Sequence, residues 1–177
     1  MVTSGVGNIA FYMRWSSADS TWYPDQGRQM FNCADAFTTA SNTTQPMTLP
    51  TVNLPAGFFG TKMGFECELL CEVNVATTNI AHIMDLGATR FINWLGTTNR
   101  RLSRRYGFRN INSASVQRCF VKDVNNEYDW AGAFNGNVTT MAENTATALT
   151  ISGAVTGTTA ASNTGTLIRC NYYLVRG

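Results

Sequence analysis

The chain has 177 residues, a net charge of +2, and 14% charged against 44% hydrophobic residues. That length suits one domain and buries roughly 68–70% of the unfolded surface, so a core can form without disulfides or metals. So small a net charge argues against nucleic-acid binding by the chain as a whole, and no apolar run approaches the ~20 residues of a membrane-crossing helix.

Thr, Asn, Ser and Gly dominate residues 37–51 and 135–166. Thr suits a pleated surface, while Asn and Gly suit turns, so strands joined by short connections are expected. The start lacks a charged stretch followed by an apolar one, which predicts a soluble protein without a secretory signal. Cys33, Cys67, Cys71, Cys119 and Cys170 are odd in number and include no CxxC pair. Free, buried thiols made in a reducing cytoplasm are the expectation.

Residues 1–50 carry Phe11, Tyr12, Trp15, Trp22, Tyr23, Phe31 and Phe37 among Ser, Asp, Gly and Gln. AFYMRW predicts one short strand, and Pro24, Asp25 and Gly27 predict a turn. The aromatic area is too large for a disordered tail and the periodicity too weak for a domain. An extended arm, packed on this domain or on a neighbour, is the expectation.

From Thr51 the pattern changes. In PTVNLPAGFFGTKMGFECELLCEV, Pro55, Gly57 and Gly60 predict a fixed corner. A strand then alternates Phe65, Cys67, Leu69, Cys71, Val73 and Val75 against Glu66, Glu68, Glu72 and Asn74, with Leu70 out of phase. Its glutamate face is expected to point outward. NIAHIMDLG places Ile80, His82, Met84 and Leu86 on one phase. TRFINWLG, RRYGFRNIN and SVQRCFVKDV predict further strands. TATALTISGAV directs Leu149 and Ile151 inward, and TLIRCNYYLV sets Ile168, Cys170, Tyr172 and Leu174 opposite Arg169, Asn171 and Tyr173. About seven or eight strands and no long helix predict an all-β antiparallel sandwich, jelly-roll-like, over residues 51–177, with the arm over 1–50.

Chemistry is sparse. His82 is the only histidine, and its apolar phase predicts a satisfied core or interface role rather than a triad. There is no GxSxG, HExxH or phosphate-cradling glycine loop. Glu66 and Glu68 lie about 7 Å apart on one strand face, but any strand with alternating Glu does that. No enzyme, catalytic residue, cofactor or metal is expected. The one concentration of charge is Arg90, Arg100, Arg101, Arg104, Arg105 and Arg109, six of thirteen basic residues. It predicts either cross-strand pairs with Glu66, Glu68 and Glu72 or a subunit contact.

Three stretches recur in an order that resembles tailed-bacteriophage virion structural proteins. They are LPAGFFGTKMGFECELLCEV, the Asn-x-Asn-Ser-x-x-x-Gln element in NINSASVQR, and the hairpin ATALTISGAVTGTTAASNTGTLIRCNYYLV. The resemblance covers about Thr51 to Val175 and implies a β-sandwich module of a phage particle, assembled in the host cytoplasm. A capsid decoration (cement) or head accessory protein is the leading expectation, because a fibre tip normally ends a long chain. Its partners would be the major capsid protein or other virion proteins and copies of itself, as a homotrimer or a dimer, without nucleic acid or membrane. The candidate contacts are Phe11, Tyr12, Trp15, Trp22 and Tyr23 on the arm, with Arg100, Arg101, Arg104 and Arg105. The alternative is a tail-fibre receptor-binding module, with Tyr128, Trp130 and Asn135 of YDWAGAFNGN on a host glycan.

Overall fold

The computed structural model describes residues 13–17, 21–24, 27–34, 37–41, 47–74, 79–97, 100–123, 129–130, 140–157 and 163–176. These residues form fourteen strands and no helix. β1 (Met13–Ser16) and β2 (Thr21–Pro24) pair with each other as a separate hairpin. The large sheet contains β3 (Arg28–Ala34), β4 (Phe37–Ser41), β6 (Met63–Asn74), β9 (Arg100–Asn110), β10 (Gln117–Asp123), β11 (Asp129–Trp130), β12 (Thr140–Met141) and β14 (Asn163–Arg176). Its order is β11-β10-β9-β6-β14-β3, with β12 also on β10 and β4 also on β14. The small sheet is formed by β5 (Met47–Leu54), β7 (Asn79–Leu86), β8 (Thr89–Thr97) and β13 (Leu149–Gly157), in the order β5-β13-β7-β8. Every pairing is antiparallel.

The two sheets pack face to face as a β-sandwich, each burying one phase of its alternation. The large sheet contributes Phe65, Cys67, Leu69, Tyr106, Phe108 and Tyr172, and the small sheet Leu49, Met84, Leu86, Phe91 and Ile151, all at most 1% exposed. Phe65 is the centre of an aromatic cluster, with ring centroids of Tyr172, Phe108 and Phe91 at 5.2, 5.9 and 6.3 Å. Each such buried side chain contributes about 1.5–3 kcal/mol relative to exposure. Phe58 and Phe59, from the corner after β5, close one end against Phe31 and Phe108. That corner turns where expected: Gly57 and Gly60 have φ of 71° and 54°, a region that favours glycine.

The sandwich begins earlier than Thr51. β3 and β4 pair with β14, and β5 starts at Met47. Residues 1–50 are therefore not all arm. The reason is geometric: β3 and β4 are short edge strands, whose sequences need not alternate cleanly. A second correction concerns Ile168, which is 37% exposed. The β6–β14 register shifts between Leu167 and Arg169, so Leu167 takes the inward position and Ile168 falls in a bulge.

Gly64 and Gly107 lie on the outer phase of β6 and β9. A Cβ on Gly107 would stand 1.9 Å from the Phe65 carbonyl oxygen, and one on Gly64 2.1 Å from that of Phe108. The two backbones approach closely because neither residue has a side chain.

Candidate functional site

β9 carries its arginines on two opposite faces. Successive strand residues point to opposite sides, so the pleat separates Arg104 from Arg105. Arg104 is buried in the inter-sheet core, 5% exposed. That corrects the expectation that Arg100, Arg101, Arg104 and Arg105 form one patch. Arg101 is the register partner of Glu72, and Arg100 that of Val73. Arg105 faces outward, opposite Glu68 across β6–β9.

Around Arg105 lies a cross-strand ion-pair network. Arg28 Nη2 stands 2.8 Å from Glu66 Oε1 and 3.5 Å from Glu68 Oε2. Arg105 reaches Glu66 at 3.4 Å and Glu68 at 3.5 Å, and Arg169 reaches Glu68 at 3.8 Å. The Tyr173 hydroxyl donates to Glu68 at 3.1 Å, and the Arg28 guanidinium stacks 3.4 Å from the centroid of the Tyr173 ring. Burial pushes the Glu68 carboxyl up, but the Tyr173 hydrogen bond and the guanidiniums of Arg28, Arg105 and Arg169 outweigh it and hold it below the usual range. Glu66 is buried, not solvent-facing as its phase suggested. Its Oε1 and the Arg28 Nη2 contact as charges without hydrogen-bond alignment. Cross-strand pairing was thus one of the two readings of the arginine run, and Arg105 realises it.

A polar cluster lies inside the sandwich. His82 on β7 is fully buried and its Nε2 is 3.0 Å from the Tyr106 hydroxyl of β9, a bond between the sheets. A second inter-sheet bond runs from the Tyr172 hydroxyl to the Pro50 carbonyl at 2.8 Å. His82 Nδ1 has no hydrogen-bond partner. Burial, with the nearby Arg104 charge, lowers the His82 pKa to about 3, so the ring is neutral. Cys67 and Cys170 hold their Sγ atoms 3.9 Å apart, and Cys67, Cys71, Cys119 and Cys170 are free thiols. Burial and then the Cys170 contact raise the Cys67 thiol, and burial pushes Cys119 up to about 12, so neither is a thiolate near neutral pH. No cluster of three or more His, Cys, Asp or Glu suited to a metal occurs among the described residues.

A second polar cluster closes the end where the corner lies. Asn110 Nδ2 donates to the Gly60 carbonyl at 2.6 Å and to Thr145 Oγ1 at 2.9 Å. Its Oδ1 accepts from Gln117 Nε2 at 3.0 Å. Gln117 Nε2 also meets the carbonyls of Ala114 and Glu143 at 3.1 and 3.0 Å, while its Oε1 accepts from the Glu143 amide at 3.0 Å. Thr145 Oγ1 donates to the Ala114 carbonyl at 2.8 Å, and the Gly57 amide donates to the Thr145 carbonyl at 3.2 Å. Thr89 Oγ1 donates to the Glu143 carboxylate. Asn112 takes a φ of 53° in the intervening loop, which Asn tolerates well. Sequence reasoning from residues alone missed Asn110 and Gln117. Their signal was the Asn-x-Asn-Ser-x-x-x-Gln element, quoted only for its resemblance. The clamp draws that element, the Pro55–Gly60 corner and the residues before the Thr-rich strand to one place. Leu54 and Leu149 are register partners beside it.

On the arm, Trp15 is 48% exposed and its register partner is Trp22, while Arg14 partners Tyr23. Phe11, Tyr12, Tyr128 and Asn135 lie outside the described residues. Trp130 is the register partner of Phe120 on β11–β10. No protein-family model matches the chain, and no curated protein matches it.

Proposed function

We propose that this chain is a structural protein of a tailed-bacteriophage particle, most specifically a decoration (cement) protein that binds and stabilises the capsid shell. The observation that carries the reading is the β1–β2 hairpin. It forms its own two-stranded sheet beside the sandwich and presents Trp15 half exposed. Tryptophan on such an element is the residue type that anchors protein interfaces. The reading is also supported by the clamp, in which the stretches that resemble phage proteins meet. Many copies, each docking through modest contacts and through contacts with one another, would together stiffen a symmetric shell.

The test is stoichiometry and truncation. Quantified against the major capsid protein in purified particles, the chain is expected at hundreds of copies per particle, an order-of-magnitude value set by shell symmetry. A dozen or two would move it to the tail or fibres and favour the receptor-binding alternative. Absence from particles would end the virion reading. Removing residues 1–26 should abolish shell attachment while the sandwich stays folded. The cut must stop there, because β3 pairs with β14, Phe31 is in the core, and the Gly27 carbonyl accepts from the Arg176 amide. Full occupancy by the truncated chain would refute docking through the arm.

A further inference from the structure

Among the described residues, the outer face of the large sheet carries more arginines than glutamates: Arg28, Arg105, Arg109, Arg118 and Arg169 against Glu66, Glu68 and Glu72. Arg28, Arg105 and Arg169 share Glu66 and Glu68, and three guanidiniums meet Glu68 alone, at 3.5, 3.5 and 3.8 Å. Charge-assisted hydrogen bonds between guanidinium and carboxylate are closer, near 2.7–2.9 Å, so these contacts leave donor capacity on the arginines. Beside them, Arg109 and Arg118 stand directly opposite each other across β9–β10. Like charges so placed disfavour a pairing. Arg109 donates to the Arg176 carbonyl and lies 5.3 Å from the centroid of the Phe120 ring, two partners that carry no charge. Arg169 is 54% exposed and Arg118 is exposed.

We infer that this face, centred on Arg105 with Arg109, Arg118 and Arg169, docks a carboxylate-rich protein surface. Guanidinium forks bind carboxylates in two-point geometry, and the excess charge would speed and orient the encounter. A protein fits better than a nucleic-acid strand. Glu66, Glu68 and Glu72 run along β6 between the arginine rows, and a continuous line of phosphates would meet them. A folded partner can place its carboxylates over the arginines alone. For the shell as that partner, the inference rests on the virion role proposed above.

The probes are a fluorescently labelled peptide of Gly-Gly-Glu repeats, whose spaced carboxylates can skip the glutamates of β6, and a labelled thymidine decamer, titrated with the full chain by anisotropy at about 50 mM salt, where screening is weak. The peptide should bind more tightly than the decamer and weaken as salt rises. R118E/R169E should weaken peptide binding at least tenfold, R118Q/R169Q should lose less, and T51E on the small sheet should lose nothing. Thermal melts confirm that each variant is folded. No peptide binding, tighter decamer binding, or unchanged binding by the folded R118E/R169E chain would each overturn the inference. On purified particles, R118E/R169E should fall below a tenth of native occupancy. Full occupancy despite lost peptide binding would overturn this face as the shell contact and leave the virion role standing. A native chain that binds the peptide but is absent from particles would overturn the virion role and not the acidic-surface docking.

Discussion

The sandwich buries two polar clusters, and they are built on opposite terms. In the end clamp, Asn110 and Gln117 have every side-chain donor and acceptor engaged, and the bonds join three separate segments of chain. In the inter-sheet cluster, His82 uses Nε2 and leaves Nδ1 without a partner. A completed buried network fixes one arrangement of the chain; an incomplete one carries a desolvation cost that nothing offsets. The clamp therefore specifies which loops meet, while the histidine cluster is a weak point between the sheets.

The sharpest way to break that contrast is Gln117→Leu. It would strand Asn110 Oδ1 and the Glu143 amide, at an expected cost of about 4–5 kcal/mol. Urea unfolding measures it, and a loss below about 1 kcal/mol would show that the clamp is not a specifying element.

Acid should find the other cluster. The folded His82 pKa lies near 3, below the ordinary 6.5, so the unfolded chain binds the extra proton in that window. Stability from this group is whole above pH 6.5 and falls as pH drops toward 3. Between pH 6.5 and 4.5 the expected loss is about 2–3 kcal/mol. The same titration of His82→Leu should lack that slope; an unchanged slope would assign the acid sensitivity elsewhere.

The smallest effect comes from a mutant cycle at neutral pH. His82→Leu removes the hydrogen bond that the buried Tyr106 hydroxyl makes to His82, and should cost about 1–2 kcal/mol. His82→Leu with Tyr106→Phe replaces both partners by apolar groups and should come within about 1 kcal/mol of the native chain. A double variant much worse than either single change would mean that the inter-sheet bond contributes more than its unpaired nitrogen costs.

Much of this architecture was legible in the sequence where period and burial coincide. The alternation through Phe65, Cys67, Leu69 and Cys71 read directly as a core strand, and His82, Met84 and Leu86 as an inward phase. Strands β3 and β4 were hidden because edge strands bury less and alternate less. Ile168 was misassigned because a bulge resets the phase, and one sequence cannot announce where a strand gains a residue. Arg104 looked like its neighbour Arg105 as long as the two were counted as charge; only the pleat sends one inward. Glu66 was read as outward by phase, yet Arg28 and Tyr173 from other strands cover it. The clamp was invisible to residue-level reading because most of its partners are tens of residues apart, and amides look the same in a loop whether bonded or solvated.

The glycines at 64 and 107 settle a question that the hydrophobic pattern leaves open. Sliding β6 against β9 by two residues would keep apolar residues inward, because Phe65, Cys67, Leu69 and Cys71 are interchangeable in phase. Such a slip would bring a Cβ to where Gly64 or Gly107 now stands against a carbonyl oxygen, at about 2 Å. The two backbones would have to shift apart there to relieve the contact. The absence of two side chains thus favours the register that sets Arg105 beside Glu68.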